Sequence, residues 1–131
     1  MLFRSEIAGA AAEGTYIIDS FDRDRKDPAL QKFFADFKTR AGYAPEGVAA
    51  ITYSAVALMA DGIKRAGSAD PAKVRDALAA TKDFPLLEGN MNGFNSLHEM
   101  LMPIAVNEIK DGKFKAAGEI TDLNAFAPPE K

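Results

Sequence analysis

The sequence predicts an α/β fold, and three observations carry that reading. A short β-branched and aromatic run, Thr15-Tyr16-Ile17-Ile18, has the composition of a strand. Two Asp-Pro pairs, Asp27-Pro28 and Asp70-Pro71, each precede residues with helical apolar spacing. Near the end, Asp111-Gly112 separates two strand-like runs, and that dipeptide suits a two-residue hairpin turn because both positions tolerate positive φ.

The elements follow in order. Met1–Ser5 is too short and polar for a signal peptide and reads as a non-native start. Glu6–Ala12 is Ala-rich, the end of a helix or a loop, and Glu13-Gly14 punctuates it. Thr15–Ile18 then predicts a short buried strand, and the charged stretch Asp19–Lys26 a loop. Asp27 is a good N-cap, and Pro28 is tolerated at the first helical position, where no amide hydrogen is needed. Leu30, Phe33, Phe34, Phe37 and Ala41 form one apolar stripe, and Gly42 is placed to end the helix. Asp36 and Arg40 lie four apart on its solvent side and are expected to support each other weakly.

Tyr43–Glu46 predicts a turn around Pro45. Val48–Ala60 is apolar nearly all round, and a helix without a polar face needs cover on more than one side. Asp61, Lys64 and Arg65 bring its last turns to water, and Gly67 ends it. The third helix runs from Pro71 to about Thr81, with Val74, Ala77, Leu78 and Thr81 inward. Phe84–Gly89 reads as extended without regular structure, and Asn90–Asn95 as turns. Leu101–Lys110 and Lys113–Ile120 make the hairpin, with Ile109 opposite Phe114. Residues 121–131 are expected to be a loose tail. One strand plus a hairpin is a thin sheet for three helices to cover, so the chain reads as part of a larger fold.

The composition narrows the function classes. With 47% hydrophobic and 27% charged residues, the chain has the balance of a globular protein. Net charge is −3 and the 16 basic residues are scattered, which argues against a nucleic-acid partner. There is no Cys, so thiol catalysis, disulfides and thiolate metal sites are excluded. The single His, His98 in Leu97-His98-Glu99, reads as a loop or strand-edge residue, because His-Glu without a second His is no zinc motif. Gly9 and Gly14 lack dinucleotide-fingerprint spacing, and Asp19–Asp27 lacks the Gly and Glu of a calcium loop. No Ser sits in a nucleophile elbow; Ser54, inside the apolar helix, is expected to bond back to a carbonyl one turn earlier. No catalytic constellation, metal site or cofactor is implied.

Several segments, in order, resemble the periplasmic binding proteins for branched-chain amino acids and their relatives for amides, urea and aromatic acids. Ile7–Phe21, IAGAAAEGTYIIDSF, resembles the family's "AG-x-AAEG" and the strand that runs toward the interlobe hinge. Asp27–Pro45, DPALQKFFADFKTRAGYAP, resembles its Pro-led helix, with Gly42 before the aromatic Tyr43 as a departure. Tyr53-Ser54-Ala55 stands where members often have Tyr-Asp-Ala, so this chain lacks a charge there. DPAKVRDA at Asp70–Ala77, Phe94-Asn95, and VNEIKDGKF at Val106–Phe114 complete the match.

The resemblance covers roughly Glu6 to Ile120 and aligns to the C-terminal third of the family's chain. It implies a partial type I periplasmic-binding-protein fold, an incomplete two-lobe architecture that binds its ligand between the lobes. Residues 27–82 would supply first-lobe helices, and residues 14–20 and 100–120 second-lobe strands. The family's main contacts to the ligand's carboxylate and amino groups lie upstream of this segment. Gly47 and Val48 would border the ligand, with Tyr53 and Phe21 as further candidates. The implied function is the substrate-binding component of an ATP-driven uptake transporter, not an enzyme. Its partners would be a small-molecule ligand and the membrane permease complex, in the periplasm. A ligand-sensing regulatory module of the same fold is the alternative, and a stand-alone small α/β enzyme a more distant one.

Overall fold

The computed structural model describes residues 8–19 and 25–126. Among them, β1 (Tyr16–Asp19), β6 (Ile104–Lys110) and β7 (Lys113–Ile120) form an antiparallel sheet in the order β1-β6-β7. Asp111 (φ 55°) and Gly112 (φ 69°) make the turn, and Ile109 faces Phe114, the register the turn dictates. A bulge lies between Val106 and Asn107. Ala105, Asn107 and Ile109 alternate inward along β6.

The chain before β1 holds this hairpin by its tip. After the 3-10 turn Gly9–Ala12, the Glu13 carboxylate accepts the backbone N–H of Asp111 at 2.9 Å and of Gly112 at 2.6 Å. Two successive amides of a left-handed turn form an anion-binding concavity, and Glu13 fills it. Expected to be buried, β1 is exposed instead: Tyr16 by 64% and Ile18 by 68%. It pairs with β6 along one edge.

Three α-helices lie among the described residues, and their ends follow the local chemistry. In α1 (Pro28–Ala41) Asp27 accepts from the N–H of Ala29 and Leu30, and Gly42 closes the helix at φ 80°. Helix α2 (Gly47–Ala66) ends at Gly67 (φ 58°). Helix α3 (Pro71–Ala79) is capped by Asp70 and stops two residues short of the expected Thr81. Thr81 is instead held by the Arg65 guanidinium at 2.6 Å. The inner stripe of α2 is small: Ala50, Ser54 and Gly62 are buried. A Cβ at Gly62 would lie 2.6 Å from Leu78 Cδ2, so the absent side chain is what lets α3 approach. Along the outer face Val48, Val56, Met59 and Ile63 stay exposed, in keeping with a helix that needs more than one covering layer.

Phe84–Gly89 is more regular than its sequence suggests. β2 (Phe84–Pro85) pairs with β3 (Asn90–Met91), and Leu86 and Gly89 exchange backbone bonds around a two-residue tip, Leu87-Glu88. That tip is buried between α1 and α2, where Leu87 packs with Leu30 and Ala50 and is flanked by Phe33 and Phe34. The expected turns at Asn90–Asn95 include short strands, since β4 (Gly93–Phe94) pairs with β5 (Met100–Leu101). His98 lies in the loop between these two strands, at φ 62°. The expected strand Leu101–Lys110 is broken before Ile104 by Pro103, which has no N–H for a ladder. The tail is not wholly loose, because Leu123–Phe126 forms a 3-10 turn; residues 127–131 lie outside the described residues.

The closest backbone approaches between elements run within the sheet and between α2 and α3. Replacing Glu13 leaves the turn amides without their acceptor, so Glu13→Ala is expected to cost about 1 kcal/mol in chemical denaturation. Glu13→Gln is expected to lie between Glu13→Ala and the unmodified chain, with amide exchange at Asp111 and Gly112 accelerated in both variants. Unchanged exchange in Glu13→Ala would remove the clamp.

Candidate functional site

The start of α2 carries the first candidates. Pro45-Glu46 leads into the helix, and Glu46 caps it by backbone conformation (φ −92°, ψ 168°) with no side-chain bond. Gly47 is half-buried, whereas Val48 is 72% exposed and presents its isopropyl group to solvent. Tyr53 stands five residues on, about 140° around the axis at 3.6 residues per turn. The structure therefore does not bring Val48 and Tyr53 together. Phe21 lies outside the described residues.

Tyr53 belongs to a different surface, a groove of about 850 Å³ between α1, α2 and the buried tip. Its ring lies 5.2 Å from that of Phe33, which in turn lies 5.8 Å from Phe37. Tyr43 closes the aromatic row, edge-on to Phe37 at 5.6 Å. At 56% exposure Tyr53 is a rim residue and not a core one.

Charged residues of α1 rim this groove. Asp36, expected to draw weak support from Arg40, takes its direct bond from Lys32 Nζ at 2.6 Å. Lys32 and Asp36 are also four apart, so the helix offers Asp36 a partner on either side. The Lys32 hydrogen bond, opposed by desolvation and aided by the charges of Lys32 and Arg40, holds the Asp36 carboxyl below its ordinary value.

Behind the groove is a buried polar network that periodicity does not reveal. Ser54 does not bond back along its own helix; Thr52 does so, to Val48 O at 2.8 Å. Ser54 Oγ donates to Glu88 Oε2 at 2.6 Å and accepts the Leu87 N–H at 3.2 Å. Arg25 donates to the carbonyls of Glu88 at 2.7 Å and Leu87 at 2.6 Å. Glu88 is only 5% exposed, yet its Oε1 and Arg25 Nε have no protein partner. The sole hint in the sequence is the Ser at a position where the resembled family often carries Asp. A hydroxyl can both donate and accept, which a second carboxylate facing Glu88 could not do.

A second, largely apolar groove of about 800 Å³ runs along α2 and α3 with Phe94 and His98 at its edge. Among the described residues, no group of three His, Asp or Glu side chains is placed to hold a metal ion. No described helix is long and apolar enough to cross a membrane.

Comparison with known proteins adds kinship to this geometry. A family model described as periplasmic binding protein matches residues 5–113. The leucine-, isoleucine-, valine-, threonine- and alanine-binding protein of Pseudomonas aeruginosa is 40% identical over 92 residues, covering 68% of this chain and 23% of that protein. A Leu/Ile/Val-binding protein homologue of Brucella suis biovar 1 is 34% identical over 89 residues, covering 67% and 23%. A crystal structure of a leucine-binding protein from Thermotoga maritima aligns with a TM-score of 0.76 at 27% identity, covering 91% of this chain and 34% of that one. The chain thus spans about a quarter of the length of the curated relatives it matches.

Two outcomes follow from the site. Ser54→Asp sets two buried carboxylates against each other and is expected to destabilise the chain by about 3 kcal/mol or more. The double exchange Ser54→Asp with Glu88→Ser restores one carboxylate and one hydroxyl and is expected to recover most of that loss in denaturant melts. For Asp36, the folded chain binds its proton less readily than the unfolded chain. Its stabilising contribution is therefore present above the ordinary value of 3.8 and is lost as pH falls through the lower folded one. A carboxyl-carbon NMR titration is expected to place Asp36 below 3.8, and Lys32→Met to bring it back up.

Proposed function

The chain belongs to the periplasmic binding protein family, and from that membership we propose that it is the C-terminal part of a substrate-binding subunit of an ATP-driven uptake system. Its ligands would be branched-chain amino acids or related small molecules, and its protein partner the membrane permease complex. It works outside the cytoplasm and performs no covalent chemistry.

The observation that supports this reading most is the family match over residues 5–113. A receptor of this kind closes by movement of two lobes around the ligand. In this chain α1–α3 fall between β1 and β6, which pair with each other, so one segment leaves the sheet for the helices and one returns. The helices of residues 27–82 would belong to one lobe, and the strands of residues 14–20 and 100–120 to the other. Gly47 and Val48 open α2, and an exposed apolar side chain there suits the wall against a ligand's aliphatic group. Tyr53, on the aromatic groove, would support α1 against α2 more than it would touch ligand.

The groups that would hold a ligand's charged ends belong to the rest of the receptor, so this chain alone is expected to show no binding of leucine or valine by calorimetry. A chimera in which these residues replace the matching segment of the Pseudomonas aeruginosa relative is expected to bind them. Val48→Trp in that chimera is expected to weaken leucine binding about tenfold or more by filling the ligand's apolar space. Equal binding by the isolated chain, or a neutral Val48→Trp, counts against the assignment.

A further inference from the structure

We propose that this chain pairs with a second copy of itself along the outer face of α2, the two helices running antiparallel about a two-fold axis. That face is continuous and apolar. Val48, Ile51, Val56, Met59 and Ile63 lie along it and stay between 42% and 72% exposed. Val48, Thr52, Ala55 and Met59 follow one another at steps of four, three and four residues, the spacing of a helix–helix seam. Thr52 is the polar member of the row. Its hydroxyl already donates to Val48 O at 2.8 Å, so it can enter a dry contact without losing a partner. Ala55, near the middle of α2, is small enough to let a second helix come close.

The ends of α2 select a second copy as the occupant. Glu46 and Lys64 are eighteen positions apart, five turns of helix, so they flank the same side of the row at opposite ends. Neither joins an ion pair among the described residues. A two-fold axis crossing α2 near Ala55 sets each Glu46 beside the Lys64 of the other copy. Charges that have no partner in one chain are thereby complementary in two.

Shape follows the same symmetry. Val48 is the most exposed of these side chains, and it lies within about 40° of Gly62 around the helix axis. Gly62 is where Leu78 of α3 makes its close approach, so Val48 projects on the α3 side. The two-fold carries it over Met59 and Ile63 of the other copy, at the mouth of the apolar groove of about 800 Å³ that α2 forms with α3. The five exposed side chains offer about 500 Å² of apolar surface per copy and about 1,000 Å² in the pair, the size at which specific association begins. The pairing is a property of this chain as it stands and uses no ligand, so a monomeric result leaves the receptor reading untouched.

The test is sedimentation equilibrium of the 131-residue chain, expected to show a monomer–dimer equilibrium with a midpoint of about 10–100 µM. Val56→Glu sets two carboxylates against each other near the axis and is expected to weaken the dimer about tenfold or more. Ile18→Glu, on the exposed strand β1, is expected to leave it unchanged. Glu46→Lys is expected to weaken it about fivefold, and Glu46→Lys with Lys64→Glu to restore it. The chain has no Cys, so introduced cysteines report the register cleanly. A mixture of Val48→Cys and Ile63→Cys chains is expected to cross-link on mild oxidation, and neither variant alone. Should Val56→Glu unfold, seen by circular dichroism, the charge exchange decides. A monomer at every concentration overturns the inference and leaves the face to the remainder of a longer receptor. Assembly beyond two copies, or a dimer broken by Ile18→Glu and not by Val56→Glu, overturns it equally. So does cross-linking of Val48→Cys chains alone, the mark of parallel helices.

Discussion

The seam between α1 and α2 depends on seating two residues, Leu87 and Glu88. A hairpin tip normally faces water because its backbone groups need partners. Here the tip is in the core, so its polar groups must be served from the protein. Leu87 contributes about 2 kcal/mol by burial beside Leu30 and Ala50. The Leu87 N–H, both tip carbonyls and one Glu88 oxygen find partners in Ser54 and Arg25. An unserved group of this kind costs about 1–3 kcal/mol, enough to cancel the apolar gain. The apolar gain and most of the polar partners meet at the same place, with Glu88 Oε1 and Arg25 Nε left unpartnered.

The same constraint organises the rest of the molecule. Helix α2 needs small residues where it meets the tip and α3, which explains Ala50, Ser54 and Gly62 on a face that otherwise could have been Leu or Ile. Its opposite face, from Val48 to Ile63, keeps large apolar groups in water, and β1 does likewise with Tyr16 and Ile18. Surfaces of that composition are ordinarily shaped for contact. A chain spanning about a quarter of its curated relatives' length is the setting in which such surfaces make sense.

The legible features were those whose cause is local. Asp27 and Asp70 cap helices because the carboxylate reaches amides two and three residues ahead, and Gly42 and Gly67 end helices because a left-handed residue must follow. The Asp111-Gly112 turn sets the register that puts Ile109 opposite Phe114. The family resemblance was legible too, since it lies in the order of short motifs. Of the site candidates, Val48 is exposed at the start of α2, while Tyr53 turned onto the aromatic groove by simple helical rotation. What stayed hidden was any pairing over long separations: Ser54 with Glu88, Arg25 with the tip carbonyls, and Glu13 with the hairpin turn. Arg40 supports Asp36 only through its charge, and the direct bond comes from Lys32, which is equally spaced from it; only side-chain placement chooses between them.

By itself, the order of residues determined the three helices with their starting caps, the first strand, the hairpin register and the kinship, because each rests on contacts within a few positions or on motif order. The tertiary structure alone decided which polar groups are buried and who serves them, and which apolar faces remain open. Those outcomes depend on surfaces brought together from distant parts of the chain, and periodicity along one element carries no record of what will lie against it.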